Sequence, residues 1–419
     1  MQTEEPVVAT PEDAKPNTQS WRDSVQPWWK ATLSILPTFL LTRFLFLLLA
    51  YFGGVLFAAA NFSATSVSYH DLLADWNRGD VTSYISIATN GYTKPEQTLF
   101  FPLYPALIRA LAPLFRHSIL TAGFFLTNLV FLSILIVLYR LVEIEFDRDT
   151  AKRTTLYMAI FPTAFIFFVA YSDSLFLLFA LLSFYTMRRG SWWLAGLFGA
   201  LATLTQLAGI FLLGVFLCEF ARQRRPQLQQ AWREHALIER VRPATHALAG
   251  LLIPLALVLY CVALLATFND PFVFIHAQTQ QNTGFLAPFL ALKAIVSQPH
   301  FSVGVAHAIL ALSAFVLFLT LMVLCFFGPE RLAKSQWTFA VFGLLLLFSA
   351  LVFSGSAAAD NVSYEPLASM PRLVVSIFPG FIMLARFGRR AWLHQGYLLL
   401  ALPTLAFFVL QFITGLWTI

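Results

Sequence analysis

Long apolar runs separated by short polar segments dominate this chain of 419 residues. A membrane-spanning helix needs about 20 apolar residues, with a range of roughly 17–25, and this pattern predicts about eleven such helices, some of them short or broken. The chain is therefore predicted to be an all-α polytopic membrane protein. The predicted spans are 32–58, 119–139, 154–170, 174–187, 192–205, 207–220, 245–267, 303–327, 337–354, 372–386 and 396–416.

The positions of the basic residues predict how the chain is oriented. Arginines are concentrated in 221–242 and recur at Arg188 and Arg189, and the positive-inside rule places such segments in the cytoplasm. These segments share one side only if 192–220 is a broken hairpin that turns outward at 205–209. Broken helices are tolerated at membrane depth where they line a cavity enclosed by protein.

The same pattern predicts one membrane domain. Residues 1–27 are polar and rich in Pro, Thr and Glu, which is typical of a disordered tail, here on the cytoplasmic side. Residues 28–419 form a single transmembrane domain, and 59–118 form a long extracytoplasmic loop. An amphipathic stretch at 70–90 and a proline-interrupted apolar stretch at 99–115 predict that this loop contains interfacial helices.

Composition supports a lipid environment and argues against other classes. The chain is 58% hydrophobic and only 11% charged, whereas soluble domains contain about 25% charged residues. The net charge of +6 lies in short loops, so nucleic acid is not an expected partner. Each of the three cysteines sits in an apolar run and reads as a packing residue, and no zinc-type spacing of Cys and His occurs.

A carboxylate with regularly spaced aromatic residues marks the first outer loop. Trp76, Asp80, Tyr84 and Ala88 recur every four residues and would share one face of a helix. Aromatic faces beside a carboxylate suit a sugar site, whereas the alternative is an interfacial helix whose rings belong to the membrane belt. Arg78 and His70 are additional candidates near Asp80.

Isolated charges elsewhere could complete a site. Asp173, in a tight outer turn, is either the N-cap of the next helix or a second polar group of the site. Arg372 lies at the outer end of a span and could hold a phosphate through paired hydrogen bonds. Arg43, inside the first span, is either a structural charge facing the bundle or a functional one.

The outer loop also resembles a known family. Gly79-Asp80, Tyr84, Ile87-Ala88, Gly91-Tyr92 and Phe100-Phe101-Pro102-Leu103-Tyr104-Pro105 resemble the PIG-V type of mannosyltransferase, which shows Trp-Asp, a Tyr four residues after the Asp, Ile-Ala-x-x-Gly-Tyr and Phe-Phe-Pro-Leu-Tyr-Pro. The likeness continues at 161–163, 171–176, 188–196 and 369–372.

The resemblance implies a GT-C-like glycosyltransferase bundle. Such enzymes take sugars from polyprenyl- or dolichyl-phosphate donors with inversion, and the family's leaning is to mannose. By position Asp80 would be the catalytic residue, and Tyr84, Tyr104 and Trp76 would contact substrate. Two departures stand out: Gly79 replaces the family's Trp, and Gln206 replaces an Arg of the broken hairpin, which makes Gln206 the candidate substrate contact there.

The function expected from these observations is mannose transfer on the extracytoplasmic face. Asp80 would be the general base, and Arg372, helped by Arg78, would balance the charge of the departing lipid phosphate. The acceptor is a lipid- or glycan-linked hydroxyl, and the partners also include membrane lipids. No cofactor is required, although Asp80 and Asp173 could together hold a divalent metal ion.

Two other classes remain open, a transporter or flippase for a lipid-linked sugar and a catalytically inactive scaffold subunit. A transporter predicts polar residues buried along a path through the spans, whereas the acidic residues here cluster in loops. The missing hairpin Arg favours the scaffold. The expected location is a bacterial plasma membrane, or the endoplasmic reticulum membrane of a eukaryote, with the N-terminus in the cytoplasm.

Overall fold

The computed structural model describes residues 18–58, 73–233, 245–279, 287–297, 303–353, 367 and 369–415. All regular secondary structure in these residues is helical. The α-helices are α1 (Thr18–Ala58), α2 (Asp80–Asn90), α3 (Leu103–Leu111), α4 (Ile119–Glu145), α5 (Arg148–Ala159), α6 (Asp173–Arg188), α7 (Trp192–Thr203), α8 (Phe211–Arg233), α9 (Leu252–Phe268), α10 (Val273–Thr279), α11 (Ala287–Ser297), α12 (Val303–Leu324), α13 (Trp337–Phe353), α14 (Met370–Leu373), α15 (Phe378–Phe387) and α16 (Ala391–Thr414).

Apolar helices of membrane-spanning length confirm that the chain is a multi-pass integral membrane protein. Six helices in the described ranges are long and apolar enough to cross a bilayer. A seventh crossing results if Met370–Ser376 and Phe378–Phe387, which meet at an angle of 75°, are counted as one bent span. The predicted count of about eleven is not confirmed. Helices α5, α6 and α7 have only 12, 16 and 12 residues, and the 23-residue α8 is charged and polar in its second half.

The predicted span 154–170 is wrong as a continuous helix. Helix α5 ends at Ala159, a short 3₁₀ helix follows at Ala164–Phe167, and α6 begins at Asp173. Pro162 explains the break, because proline lacks an N–H group and disfavours a helical conformation in the residue before it. The irregular segment is nevertheless buried: Phe165, Phe167 and Tyr171 are each 0% exposed.

The broken hairpin predicted at 192–220 is confirmed. Helix α7 ends at Thr203, Gln206 is extended (φ −151°, ψ 145°), and α8 begins at Phe211. The chain doubles back, because the ring of Trp192 at the start of α7 lies 4.9 Å from that of Phe220, well inside α8. Gly209 packs so closely on the end of α7 that an added Cβ would lie 2.3 Å from the Thr203 nitrogen.

Part of the predicted disordered tail is helical. Helix α1 begins at Thr18, so 18–27 is helical rather than disordered, and 1–17 lies outside the described residues. With 41 residues, α1 is about 60 Å long, roughly twice the thickness of a bilayer core.

The first outer loop contains two short helices, α2 and α3. Helix α2 begins at Asp80, so Trp76 precedes it instead of sharing its face. Residues 59–72, including His70, lie outside the described residues. Helix α3 has nine residues, a length of about 14 Å, so it is too short to cross a membrane. Its buried face, formed by Tyr104, Pro105 and Ile108, packs on the bundle.

An ionic network ties four elements together at the end of α6 that lies away from Asp173. Arg188 lies 3.1 Å from Glu145 of α4 and 3.1 Å from Glu219 of α8, and it donates a 2.7 Å hydrogen bond to the carbonyl of Ser335. Glu219 also accepts from Arg222. A cavity of about 320 Å³ opens beside this network.

Candidate active site

A guanidinium that bridges two carboxylates forms the centre of the candidate site. Arg372 of α14 donates from Nε to Oδ2 of Asp173 at 2.7 Å and from Nη1 to Oδ2 of Asp80. Asp80 and Asp173 are the first residues of α2 and α6. The tight turn at Tyr171-Ser172-Asp173 thus places the Asp173 carboxylate in the cluster, and Ser172 is the residue at the N-cap position.

The two carboxylates differ in accessibility. The side chain of Asp80 is 27% exposed and that of Asp173 only 4%. Burial of the group raises the pKa of the Asp80 carboxyl, the charge of Arg372 opposes that rise, and the charge of Asp173 adds to it. Asp80 is therefore the member of the pair that can meet a substrate, and its proton affinity exceeds that of an ordinary aspartate.

A layer of aromatic rings and hydroxyl groups supports the charged cluster. Tyr84 lies one turn after Asp80 on α2, and its hydroxyl is 2.6 Å from Oγ of Ser172. The Tyr104 ring lies 4.9 Å from that of Tyr84, and its hydroxyl contacts Thr127 at 3.0 Å. Burial raises the pKa of Tyr84, so its hydroxyl stays protonated. Tyr84 and Tyr104 are buried, so they underlie the site rather than line it.

Two breaks in helices meet here, next to the bent span that contains Arg372. Gln206, at the hairpin break, donates from Nε2 to Oδ1 of Asp173 at 3.2 Å. The break before α6 is tied to α14 by the Thr163 hydroxyl, which donates to the carbonyl of Pro371 at 2.6 Å. Tyr171 stacks its ring 4.6 Å from the Arg372 guanidinium. The irregular segments explain how polar groups from distant parts of the chain reach one place.

A cavity of about 140 Å³ lies beside Arg372. Its wall includes Asp173, Gln206, Ser369, Arg372 and Ser376, whereas Asp80 does not line it. The volume far exceeds the roughly 10–15 Å³ needed for one water molecule. The guanidinium thus has Asp80 on one side and a polar cavity on another.

Two predicted substrate contacts lie elsewhere. Trp76 is fully buried, with its ring 4.8 Å from Phe168 and 5.9 Å from Phe412, so it offers no face to a sugar. The Nε of Arg78 donates to the carbonyl of Asp75 at 3.1 Å, and its guanidinium packs against Gly415 at the end of α16. The predicted help of Arg78 to Arg372 is therefore not supported by this geometry.

Three residues that the sequence did not identify also belong to the site. Ser172 joins Tyr84 to the hairpin, since Gln206 lies 3.4 Å from its hydroxyl. Tyr171 lies under the guanidinium, and Ser376 lines the cavity. Ser172 and Tyr171 could have been found from the sequence, because they precede Asp173 directly in the motif at 171–173. Nothing in the sequence distinguishes Ser376 from other serines in apolar runs.

Arg43 is a structural charge of the bundle and contacts none of the site residues above. Its guanidinium donates to the carbonyl of Phe167 at 3.2 Å and lies 4.4 Å from the ring of Phe131. Cation–π contacts of this kind stabilise a buried guanidinium. Arg43 thereby fixes the irregular segment between α5 and α6.

The cluster does not fit a divalent metal ion in this arrangement. Arg372 lies between Asp80 and Asp173, where an ion shared by both carboxylates would need to bind. Mg²⁺ and Ca²⁺ take about six or more oxygen ligands, and no group of three potential ligand residues occurs in the described part of the chain.

A family model described as "Mannosyltransferase (PIG-V)" matches residues 55–282, more than half of the chain. The chain belongs to this PIG-V mannosyltransferase family. The matched region contains Asp80, Tyr84, Tyr104, Asp173 and Gln206. Arg372 lies outside the matched region. In the structure it nevertheless contacts Asp80, so a cation from the last third of the chain joins the residues of the PIG-V region.

Two solved structures illustrate what this PIG-V family member is similar to. ArnT from Cupriavidus metallidurans, bound to undecaprenyl phosphate, is 17% identical with a TM-score of 0.46, over 77% of this chain and 57% of ArnT. The Archaeoglobus fulgidus oligosaccharyltransferase in its apo form is 12% identical with a TM-score of 0.41, over 90% and 54%. This chain thus spans little more than half the length of either. None of the curated proteins compared matches it.

Proposed function

We propose that this protein transfers mannose from a polyprenyl-phosphate donor to a hydroxyl of a lipid- or glycan-linked acceptor. One observation supports this most directly: in a member of the PIG-V family, Arg372 joins an accessible carboxylate to a buried one beside a polar cavity. A base and a cation close together are what displacement at an anomeric carbon needs when the leaving group is a phosphate.

Asp80 is the base in this proposal. Its carboxylate takes the proton of the acceptor hydroxyl while the oxygen attacks the anomeric carbon. A new carbon–oxygen bond forms, the bond from the anomeric carbon to the donor phosphate breaks, and its electron pair leaves with the polyprenyl phosphate. A single displacement of this kind inverts the anomeric centre. The accessibility of Asp80, compared with the buried Asp173, favours it as the base.

Arg372 stabilises the leaving phosphate. Its guanidinium is held by Asp173 through Nε, which orients the remaining N–H groups. Preorganised donors aimed at developing negative charge are commonly worth a factor of about 10²–10³ in rate. Because Arg372 also pairs with Asp80, donor binding would draw the guanidinium away from Asp80 and leave this carboxylate free to act as base.

The proposed orientation places the site on the extracytoplasmic side. Helix α6 runs from Asp173 at the site to Arg188 in the ionic network, and its 16 residues separate the two by about 24 Å. The network contains Arg188 and Arg222, and the positive-inside rule assigns such an end to the cytoplasm. Residues 59–118 then form the extracytoplasmic catalytic loop. The N-terminus is cytoplasmic, in a bacterial plasma membrane or an endoplasmic reticulum membrane.

The scaffold alternative keeps one supporting observation, the glutamine at position 206. Gln206 keeps a contact to Asp173 but supplies no positive charge where the family often has Arg. A scaffold would not need an accessible carboxylate next to an arginine, and a measurement of transfer distinguishes the two functions.

The test is radiolabelled transfer from polyprenyl-phosphate mannose to a membrane lipid extract, catalysed by the full chain in proteoliposomes. We expect Asp80→Asn to lower the rate by about 10²–10⁴-fold. Asp270→Asn, at an aspartate that is 34% exposed and paired with His276, is the control and should retain the wild-type rate. Transfer by Asp80→Asn near the wild-type rate would refute the role of Asp80, and no transfer by the wild type would refute the function.

A further inference from the structure

The cavity beside Arg372 contains a buried hydroxyl group without a partner. Ser376 is 3% exposed and lines the cavity, and its Oγ makes no hydrogen bond within the described ranges. Buried polar groups are usually hydrogen-bonded, and leaving one unsatisfied costs about 1–3 kcal/mol. A donor and acceptor kept free at a cavity wall indicates that something polar binds there.

The cavity wall also contains hydrogen-bond donors that are not engaged by other protein groups in the described part of the chain. Arg372 uses Nε and Nη1 for Asp173 and Asp80, and its Nη2 makes no hydrogen bond to another described residue. The N-terminus of α6, a helix of 16 residues, is at the wall through Asp173, and such an end favours negative charge. Hydroxyl, guanidinium and helix N-terminus are together the usual surroundings of a phosphate.

The neighbouring carboxylates set a limit on the ligand's charge. Asp80 and Asp173 against one guanidinium leave the cluster with one excess negative charge. The charge of Asp173 is engaged by Arg372 at 2.7 Å and by Gln206 at 3.2 Å. Each negative charge on the ligand is therefore repelled by this excess, so removal of one carboxylate charge should strengthen the binding of a phosphate.

We infer that Ser376 is a further donor-binding residue, which together with Arg372 donates a hydrogen bond, within this cavity, to the phosphate of the lipid-linked donor. The inference rests on the proposed function and adds to it the position of the leaving group. The phosphate lies on one side of the guanidinium and Asp80 on another. Arg372 can therefore pair with Asp80 or with the phosphate. Ser376 donates to the phosphate and makes no hydrogen bond to Asp80, so its contact does not depend on that exchange.

Binding of polyprenyl phosphate to the full chain in nanodiscs tests this inference. The lipid is compared with the same polyprenol lacking phosphate and with inorganic phosphate. We expect Ser376→Ala to weaken binding of polyprenyl phosphate about tenfold, the usual effect of losing a hydrogen bond to a charged group. Ala208→Leu, which fills the cavity from another wall residue, should weaken it further.

Asp80→Asn gives the most specific result. It removes one negative charge and frees a terminal nitrogen of Arg372, so we expect it to bind polyprenyl phosphate more tightly than the wild type although it does not transfer. Ser183→Ala is the matched control, because Ser183 is also buried but its Oγ donates to the carbonyl of Ala195 at 2.9 Å, away from the cavity. This control should bind as the wild type does.

The outcomes separate the subsite from the function. Weaker binding in Ser376→Ala, with no response to polyprenol alone, supports the subsite, and displacement by inorganic phosphate would show that the headgroup suffices. Unchanged binding in both Ser376→Ala and Ala208→Leu overturns the subsite, even if Asp80→Asn abolishes transfer. Conversely, loss of the proposed function would appear as phosphate binding without transfer by the wild type.

Discussion

Arg372 pairs with Asp80 although 292 residues separate them in the chain. The contact joins the start of α2, in the first outer loop, to α14, close to the last two helices. Asp173 holds the same guanidinium from the start of α6. Arg372 and Asp80 form a hydrogen-bonded ion pair. In the proposed mechanism a bound phosphate competes with Asp80 for the same guanidinium, so Arg372 can exchange one partner for the other.

Replacement of Arg372 by lysine tests the bridging geometry. Lysine keeps the charge but presents one nitrogen where arginine binds Asp80 and Asp173 through two. We expect Arg372→Lys to lower the transfer rate by about 10²–10³-fold. Arg389→Lys, at a surface pair with Asp147 in which the Arg389 side chain is 47% exposed, should have no effect. A wild-type rate in Arg372→Lys would show that charge alone suffices.

The pH dependence of transfer should report the environment of Asp80. The base acts when ionised, and the raised pKa of Asp80 means that ionisation is lost at a higher pH than for an ordinary aspartate. The value of kcat/KM should therefore fall as the pH is lowered through this raised pKa. Asp173→Asn removes a neighbouring negative charge, so the acidic limb should move to lower pH. An unchanged limb, or one that moves upward, contradicts the coupling of the two carboxylates.

The contact of Tyr84 with Ser172 should appear as an energetic coupling. Tyr84→Phe and Ser172→Ala each remove the same 2.6 Å hydrogen bond, and each should lower the free energy of unfolding by about 1 kcal/mol. The double variant should lose less than the sum of the two. Tyr84→Phe combined with Thr154→Ala, which affects a separate hydrogen bond in α5, should instead be additive. Thermal unfolding in detergent measures both pairs.

The hairpin tip should not tolerate a side chain at Gly209. A Cβ there would lie 2.3 Å from the Thr203 nitrogen, and overpacking of this kind typically costs about 1–3 kcal/mol. At Gly214, the fourth residue of α8, an added Cβ would have no neighbouring atom of the described residues within 4 Å outside the backbone of its own helix. Gly214→Ala is therefore the control and should leave the melting temperature unchanged or raise it. Equal melting temperatures for Gly209→Ala and the control would refute the close packing.

The elements that could be predicted from sequence are those set by local patterns. Apolar runs predicted the long helices. The basic segments can share one side of the membrane only if 192–220 turns back on itself, and the contact between Trp192 and Phe220 confirms this hairpin. The span 154–170 was wrong because hydrophobicity alone does not register the break at Pro162. The helical start of α1 at Thr18 was missed because its polar composition resembles that of a disordered segment.

For the site, the sequence identified Asp80, Asp173, Gln206 and Arg372, and the structure brings these four together. Trp76 was assigned to the site by its spacing from Asp80, but helix α2 begins only at Asp80, so the spacing has no meaning there. Ser376 could not be predicted, because its lack of a partner depends on how the 3₁₀ turn Val374–Ser376, which follows α14, packs against segments far away in the chain.

The ionic network around Arg188 has a consequence for how the bundle can move. It joins α6 to α4 and α8 through buried charge pairs, which are costly to separate, and to the segment before α13 through a hydrogen bond. The opposite end of α6 is held by Arg372 beside the cavity, where a bound ligand can supply new partners for the groups that separate. Entry of a bulky lipid headgroup should therefore separate the helices around Asp173, while the helices at the arginine-rich end stay packed and that end acts as the pivot.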